Sequence, residues 1–121
     1  MVSKSANYCC ASSRNPHGLL VLCEVALGNP IQYTKHNYDA DKPVLKGQGH
    51  SSHGCGKTMP DPAVKAQIDD GVVVPYGTPV SSSVKHSDLL YNEFIVYNVA
   101  QVKIRYLVKV KFNFRRGRGG Y

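Results

Sequence analysis

The sequence predicts an α+β fold, mainly antiparallel β-sheet with one short N-terminal helix, and three observations carry that reading. Val102, Ile104, Tyr106, Val108, Val110, Phe112 and Phe114 occupy even positions while Lys103, Arg105, Lys109 and Lys111 occupy odd ones. That period of two is the signature of a long half-exposed strand, apolar face inward and basic face outward. Leu19 to Leu27 is apolar except for Glu24, as in a buried strand. Asp70-Gly71 lies between apolar runs, a signal of a type I′ hairpin.

Taken in order, Ser3 or Ser5 is expected to cap a short helix through Ala6, Asn7 and Tyr8. Asn15, Pro16 and Gly18 form a turn cluster before the Leu19–Leu27 strand, which Gly28, Asn29 and Pro30 end. From Ile31 to Met59 no period is sustained and small polar residues dominate, so a long loop is expected there, a feature usually functional when it occurs in a compact domain. Pro60 to Pro79 reads as a turn, a short strand, the Asp70-Gly71 hairpin, Val72-Val73-Val74 and a second turn. A strand from about Tyr91 to Tyr97 is joined to the last one through Asn98 to Gln101. Arg115 to Tyr121 reads as a flexible Arg/Gly tail, because glycine carries a high ordering entropy.

The chain has 121 residues, 42% of them hydrophobic, which fits one domain with a modest core. No apolar run approaches the roughly 20 residues of a membrane span, and no signal-peptide pattern follows Met1. A soluble, intracellular protein without a membrane partner is expected. Cys9, Cys10, Cys23 and Cys55 lack the spacing of a secreted disulfide framework and read as reduced thiols. His50 and His53 with Cys9, Cys10 and Cys55 lack zinc-finger spacing, so no metal is expected. His53-Gly54-Cys55-Gly56-Lys57-Thr58 resembles the end of a phosphate loop, but Ser51 stands where the opening glycine belongs.

Two features point toward function. The net charge is +7, and after Gln101 there are seven basic residues and no acidic ones. Such a stripe suits a polyanion, nucleic acid or a phosphate-rich substrate, and equally a solvated strand face. The second feature is Glu93, a lone carboxylate within Leu89-Leu90-Tyr91-Asn92-Glu93-Phe94-Ile95-Val96-Tyr97. Desolvating an ionised group costs several kcal/mol, so a glutamate in such a run is expected to have a partner or to line a cleft.

Val2-Ser3-Lys4-Ser5-Ala6-Asn7-Tyr8-Cys9 and Leu90-Tyr91-Asn92-Glu93-Phe94-Ile95-Val96-Tyr97 resemble the paired motifs of the poly(ADP-ribose) polymerase catalytic domain, DNA-dependent type. Gly18 to Gly28, Gly56-Lys57-Thr58 with Pro60, Val74-Pro75-Tyr76-Gly77 and Gln101 to Phe114 resemble the same family in the same order. The resemblance implies part of an ADP-ribosyltransferase fold and transfer of ADP-ribose from NAD to protein acceptors or a growing poly(ADP-ribose) chain. It implies that Ser5 binds the carboxamide of nicotinamide, Tyr8 stacks on its ring, Glu93 is catalytic, and Lys4, Leu90 and Tyr91 lie near the acceptor site. Nuclear localisation, a role in DNA repair and DNA contacts through other domains are further implications.

The family's catalytic triad also includes a histidine and a tyrosine upstream of the Ser-Lys-Ser motif. None of His17, His36, His50, His53 and His86 stands in the family's histidine-glycine-serine motif. Residues 1–114 are therefore expected to be the C-terminal part of a catalytic domain, inactive in isolation, with 115–121 as the tail. A different reading is a non-catalytic basic module that binds nucleic acid or poly(ADP-ribose).

Overall fold

The computed structural model describes residues 1–68 and 71–114. Helix α1 spans Val2–Ala6 and runs into a 3-10 turn at Asn7–Cys9. Ser3 and Ser5 lie within it rather than capping it: the N-cap is Met1, with no side-chain cap hydrogen bond. The helix begins earlier than the serines signalled, and Lys4 N–H donates to the Met1 carbonyl at 3.0 Å.

Strand β1, His17–Val25, pairs antiparallel with the last strand, Val102–Lys111, over their whole lengths, with an irregularity between Leu22 and Cys23. The apolar run and the period of two thus become one two-stranded ribbon. The inward apolar face that the alternation predicts is not buried in this chain. Ile104 is 69% and Tyr106 67% exposed, because α1 covers only part of that face and, among the described residues, no third strand joins either edge. Across the ribbon the Arg105 guanidinium donates to the Glu24 carboxylate, an ion pair near the Glu24–Lys103 register pair.

The stretch expected to be loop, Ile31 to Met59, holds four elements: β2 (Pro30–Tyr33), α2 (Asp41–Leu45), β3 (Ser51–Gly54) and β4 (Thr58–Pro60). Their strands are too short and too polar to show a period. β3 is nonetheless central, parallel to β2 on one side and antiparallel to a later strand on the other. Ser51 and Ser52 are buried at 0% and 2% exposure. Ser51 Oγ donates to the Leu27 carbonyl at 2.8 Å, and Ser52 Oγ lies 2.8 Å from the Tyr97 hydroxyl. Satisfied hydroxyls can sit inside a sheet at little cost.

β5 (Lys65–Gln67) and β6 (Val73–Pro75) form the expected hairpin. Ile68 N–H donates to the Val72 carbonyl and Gly71 N–H to the Ile68 carbonyl. Gly71 has φ +80, a left-handed conformation that glycine adopts at no steric cost. The expected type I′ turn includes Asp70, which lies outside the described residues, as does the tail expected at 115–121. β7 (Pro79–Ser81) pairs with β4.

β8 covers only Glu93–Ile95 of the Tyr91–Tyr97 stretch and is antiparallel to β3. A 3-10 turn at Val99–Gln101, capped by the Asn98 side chain, leads into β9, Val102–Lys111. The architecture is α+β as the sequence predicts, largely antiparallel, with β2–β3 the parallel pair. The modest core expected from composition is smaller still. Among the described residues the only buried hydrophobic side chains are Cys55 and Leu89, and both lie in the region around Glu93.

Candidate functional site

The chain around Glu93 is held by close backbone approach. Glu93 sits directly opposite Gly54 in the β3–β8 register. A Cβ on Gly54 would lie 2.8 Å from Leu89 Cδ1 and 2.9 Å from Glu93 Cγ, so the missing side chain is the space the glutamate uses. Two residues on, a Cβ at Gly56 would lie 2.2 Å from the Tyr91 carbonyl carbon. Gly56 N–H donates to Asn92 Oδ1 at 2.8 Å, and Asn92 N–H donates to the Thr58 carbonyl at 3.0 Å. Asn92 thus clamps the two segments at the residue preceding Glu93.

Helix α1 delivers the partner that the desolvation argument requires. Lys4 Nζ lies 3.3 Å from Glu93 Oε2, the two side chains 41% and 27% exposed. The Met1 amino group donates to the Asn92 carbonyl at 3.0 Å, tying α1 to the start of β8. Burial lowers the pKa of that amine, against the opposing pull of the Glu93 charge.

Glu93 borders two small cavities, of about 160 and about 230 Å³, which share Glu93, Leu89 and His36. Lys4, Leu90 and Tyr91 border the larger one with Glu93. The expected catalytic and acceptor-side residues are therefore brought together on one cleft wall. Ser5 and Tyr8 border a different, open cavity against Leu20, Leu22, Val108 and Val110. Tyr8 is 74% exposed, leaving its ring available for stacking. One helical turn and its 3-10 extension thus present Lys4 to the carboxylate and Ser5 and Tyr8 to the ribbon side.

On the strand next to Glu93 lies a feature the sequence did not signal. His53 pairs with Phe94 in the register, and their rings stack with centroids 4.2 Å apart. His53 Nε2 is buried without a hydrogen-bond partner, and Nδ1 lies 3.7 Å from Cys55 Sγ. Burial pushes the His53 pKa below the usual 6.5. His36 is the other residue missed. It borders both cavities beside Glu93, and its loop is held at Thr34, whose carbonyl accepts from Asp88 N–H at 2.9 Å and from Ser87 Oγ at 3.1 Å. No local pattern around His36 could have revealed that it borders the same cavities as a residue so distant in sequence.

Among the described residues no three His, Cys, Asp or Glu side chains gather as a metal site. Cys9, Cys10, Cys23 and Cys55 are all free thiols.

Comparison with known proteins matches residues 1–112 to the poly(ADP-ribose) polymerase catalytic domain. Poly(ADP-ribose) polymerase 2 of Arabidopsis thaliana is 50% identical over 95% of this chain and 18% of its own length. Poly(ADP-ribose) polymerase 1 of Gallus gallus is 50% identical over 95% of the chain and 11% of its own length. Poly(ADP-ribose) polymerase of Drosophila melanogaster is 49% identical over 94% of the chain and 11% of its own length. The chain thus spans between a tenth and a fifth of the length of these relatives.

Proposed function

The chain belongs to the poly(ADP-ribose) polymerase catalytic-domain family, and from that premise we propose that it supplies the catalytic glutamate and the nicotinamide-side residues of an NAD-dependent protein ADP-ribosyltransferase. The observation that carries the reading is Glu93 on a cleft wall, held between Gly54 and Lys4, with Leu90 and Tyr91 bordering the same cavity.

Transfer of ADP-ribose from NAD breaks the bond between ribose and nicotinamide, passes through an oxocarbenium-like transition state, and forms a bond from the acceptor to the same ribose carbon. The Glu93 carboxylate can accept a hydrogen bond from a ribose hydroxyl, favour the positive charge that develops on the ring, and take the proton of an attacking acceptor hydroxyl. Lys4 orients that carboxylate and limits its motion. Ser5 carries a hydroxyl that both donates and accepts, which suits a carboxamide, and Tyr8 offers an exposed ring face for nicotinamide. The acceptors are protein side chains and the ends of poly(ADP-ribose) chains, with DNA contacts made through other domains and the work done in the nucleus during DNA repair.

Glu93→Gln tests the assignment, because it keeps the shape and removes the charge. In an intact enzyme it is expected to cut polymer elongation sharply, seen as shortened products on a gel; unchanged product length rejects Glu93 as the catalytic carboxylate. Saturable nicotinamide binding that disappears in Tyr8→Ala tests the donor side.

A second reading rests on a specific observation: Lys103, Arg105, Lys109 and Lys111 are all exposed on β9. Such a stripe binds nucleic acid or poly(ADP-ribose) without catalysis. Its affinity would fall steeply with salt, whereas nicotinamide binding would change little.

A further inference from the structure

Strand β1 is one edge of the two-stranded ribbon, and the hydrogen bonds at its ends show which of its backbone groups are free. The Pro16 carbonyl accepts from Phe112 N–H at 2.7 Å just before the strand, and Ala26 N–H donates to the Gln101 carbonyl at 2.9 Å just after it. In an antiparallel pair the bonded residues alternate, and both ends of β1 set the even positions on the β9 side. The N–H and C=O groups of His17, Leu19, Val21, Cys23 and Val25 therefore point to the opposite edge. One of them is occupied, since Cys9 Sγ donates to the Leu19 carbonyl at 3.6 Å. From Val21 to Val25 the edge has no strand partner among the described residues.

Such an edge is a template for another strand, and cations along a strand are one means of blunting it. β9 carries Lys103, Arg105, Lys109 and Lys111 and no acidic residue, so two β9 edges would repel. β1 has one charged residue after His17, Glu24, and its carboxylate is already paired with Arg105. The other side chains are apolar on both faces, with Val21 51%, Leu22 53% and Val25 39% exposed. The free segment is also complementary to itself. Two copies running antiparallel about a two-fold axis at Cys23 set Val21 opposite Val25 of the second copy and Leu22 opposite Glu24, so no like charges meet. The residues at 21, 23 and 25, whose backbone groups point outward, then face one another, as hydrogen-bonded pairs require.

We infer that β1 is a self-association edge: a second copy of this chain adds its own β1 antiparallel, joining the two ribbons into one sheet in the order β9–β1–β1–β9 with Cys23 on the two-fold axis. The paired segment is short, which places the dimer at the weak end of specific interfaces. The inference draws on no residue of the Glu93 site and stands apart from the transferase reading.

The test is the mass of the full chain against concentration, by sedimentation equilibrium under reducing conditions, with thiol cross-linking by a short bismaleimide in parallel. The native chain is expected to pass from monomer to dimer below about 1 mM, where association is still weak, and to give a cross-linked dimer that Cys23→Ser loses and Cys10→Ser keeps. Val21→Pro is the decisive variant. It removes an N–H that points away from β9, a position where an edge strand tolerates proline, so the urea midpoint should stay near native. The dimer should dissociate about tenfold more readily, as loss of symmetry-related hydrogen bonds does. Where Val21→Pro lowers the urea midpoint, Val21→Lys gives the same reading by placing a cation on the edge. A native chain that stays monomeric up to about 1 mM overturns the inference. So does a dimer that both Val21 variants leave intact, a cross-link that survives Cys23→Ser, or growth into large aggregates with no dimer stage.

Discussion

Gly54→Ala adds one methyl group at the point where β3 faces Glu93, and its consequences can be worked from the contacts. The new Cβ would lie 2.8 Å from Leu89 Cδ1 and 2.9 Å from Glu93 Cγ. Ordinary carbon contacts are about 3.5 Å or more, so each neighbour must retreat by roughly 0.6 Å or more. Both atoms belong to side chains that can rotate, and the cost in stability is expected to be that of modest overpacking, about 1–3 kcal/mol. The glutamate has less freedom than the leucine, because Asn92 clamps its backbone and Lys4 holds its carboxylate. Rotation about its side chain to clear the methyl carries the carboxylate on the order of 1 Å, and a displacement of that size can cost about 100-fold in rate. Urea denaturation reads the stability change, and nicotinamide release from NAD by an intact enzyme carrying the same substitution reads the transfer rate. A fully stable variant with an undiminished rate would show that Gly54 does not shape the Glu93 position. A rate loss no larger than the fraction unfolded would refute the argument from geometry.

Other expectations follow from the same contacts. Lys4→Ala removes a partly exposed ion pair, so its stability cost should be under about 1 kcal/mol, while transfer falls further because Glu93 loses its orienting cation; equal losses in both would argue against orientation. His53 has a folded pKa below 6.5, so the unfolded chain takes up the proton first as the pH drops. Its contribution to stability is complete above that value and shrinks as the pH falls through it toward the folded pKa. The urea midpoint of the native protein should therefore drop more between about pH 7.5 and about pH 5.5 than that of His53→Phe, which keeps the stack on Phe94 without titrating. Ile104→Ala should cost under about 1 kcal/mol because the side chain is 69% exposed, whereas a buried isoleucine would cost about 2–5 kcal/mol; a value in the second range would mean that the ribbon face is covered in solution.

Local patterning was legible wherever it was long. The alternation from Val102 and the apolar run from Leu19 both become strands, and they pair with each other. What the pattern could not say was what covers them, since alternation records the face a strand would bury and not the presence of a partner for it. The short strands failed for the opposite reason. β2 and β3 contribute four residues each, too few for a period, and β3 owes its place to pairing on both sides rather than to hydrophobicity. Ser51 and Ser52 read as loop because serine is usually exposed; their hydroxyls are buried and bonded instead. Likewise the serines near the N-terminus resembled caps, yet the helix starts before them.

The site divides along the same line between local and distant. Glu93 stood out because an ionised group is costly within an apolar run, and that argument demanded either a cleft or a partner; it has both, two bordering cavities and Lys4. The glycines opposite it carried a misleading signal. Gly54 and Gly56, followed by Lys57 and Thr58, resembled the end of a phosphate loop, a role that the spacing already argued against. Their contacts supply the physical reason for two glycines there: at one the Glu93 side chain, at the other the Tyr91–Asn92 backbone, comes closer than any Cβ would allow. Glycine marks close approach whether the visitor is a phosphate or a neighbouring strand, so only the three-dimensional partner decides between them. Here that partner is the segment bearing the carboxylate, and the glycines belong to the Glu93 site through packing rather than through ligand binding.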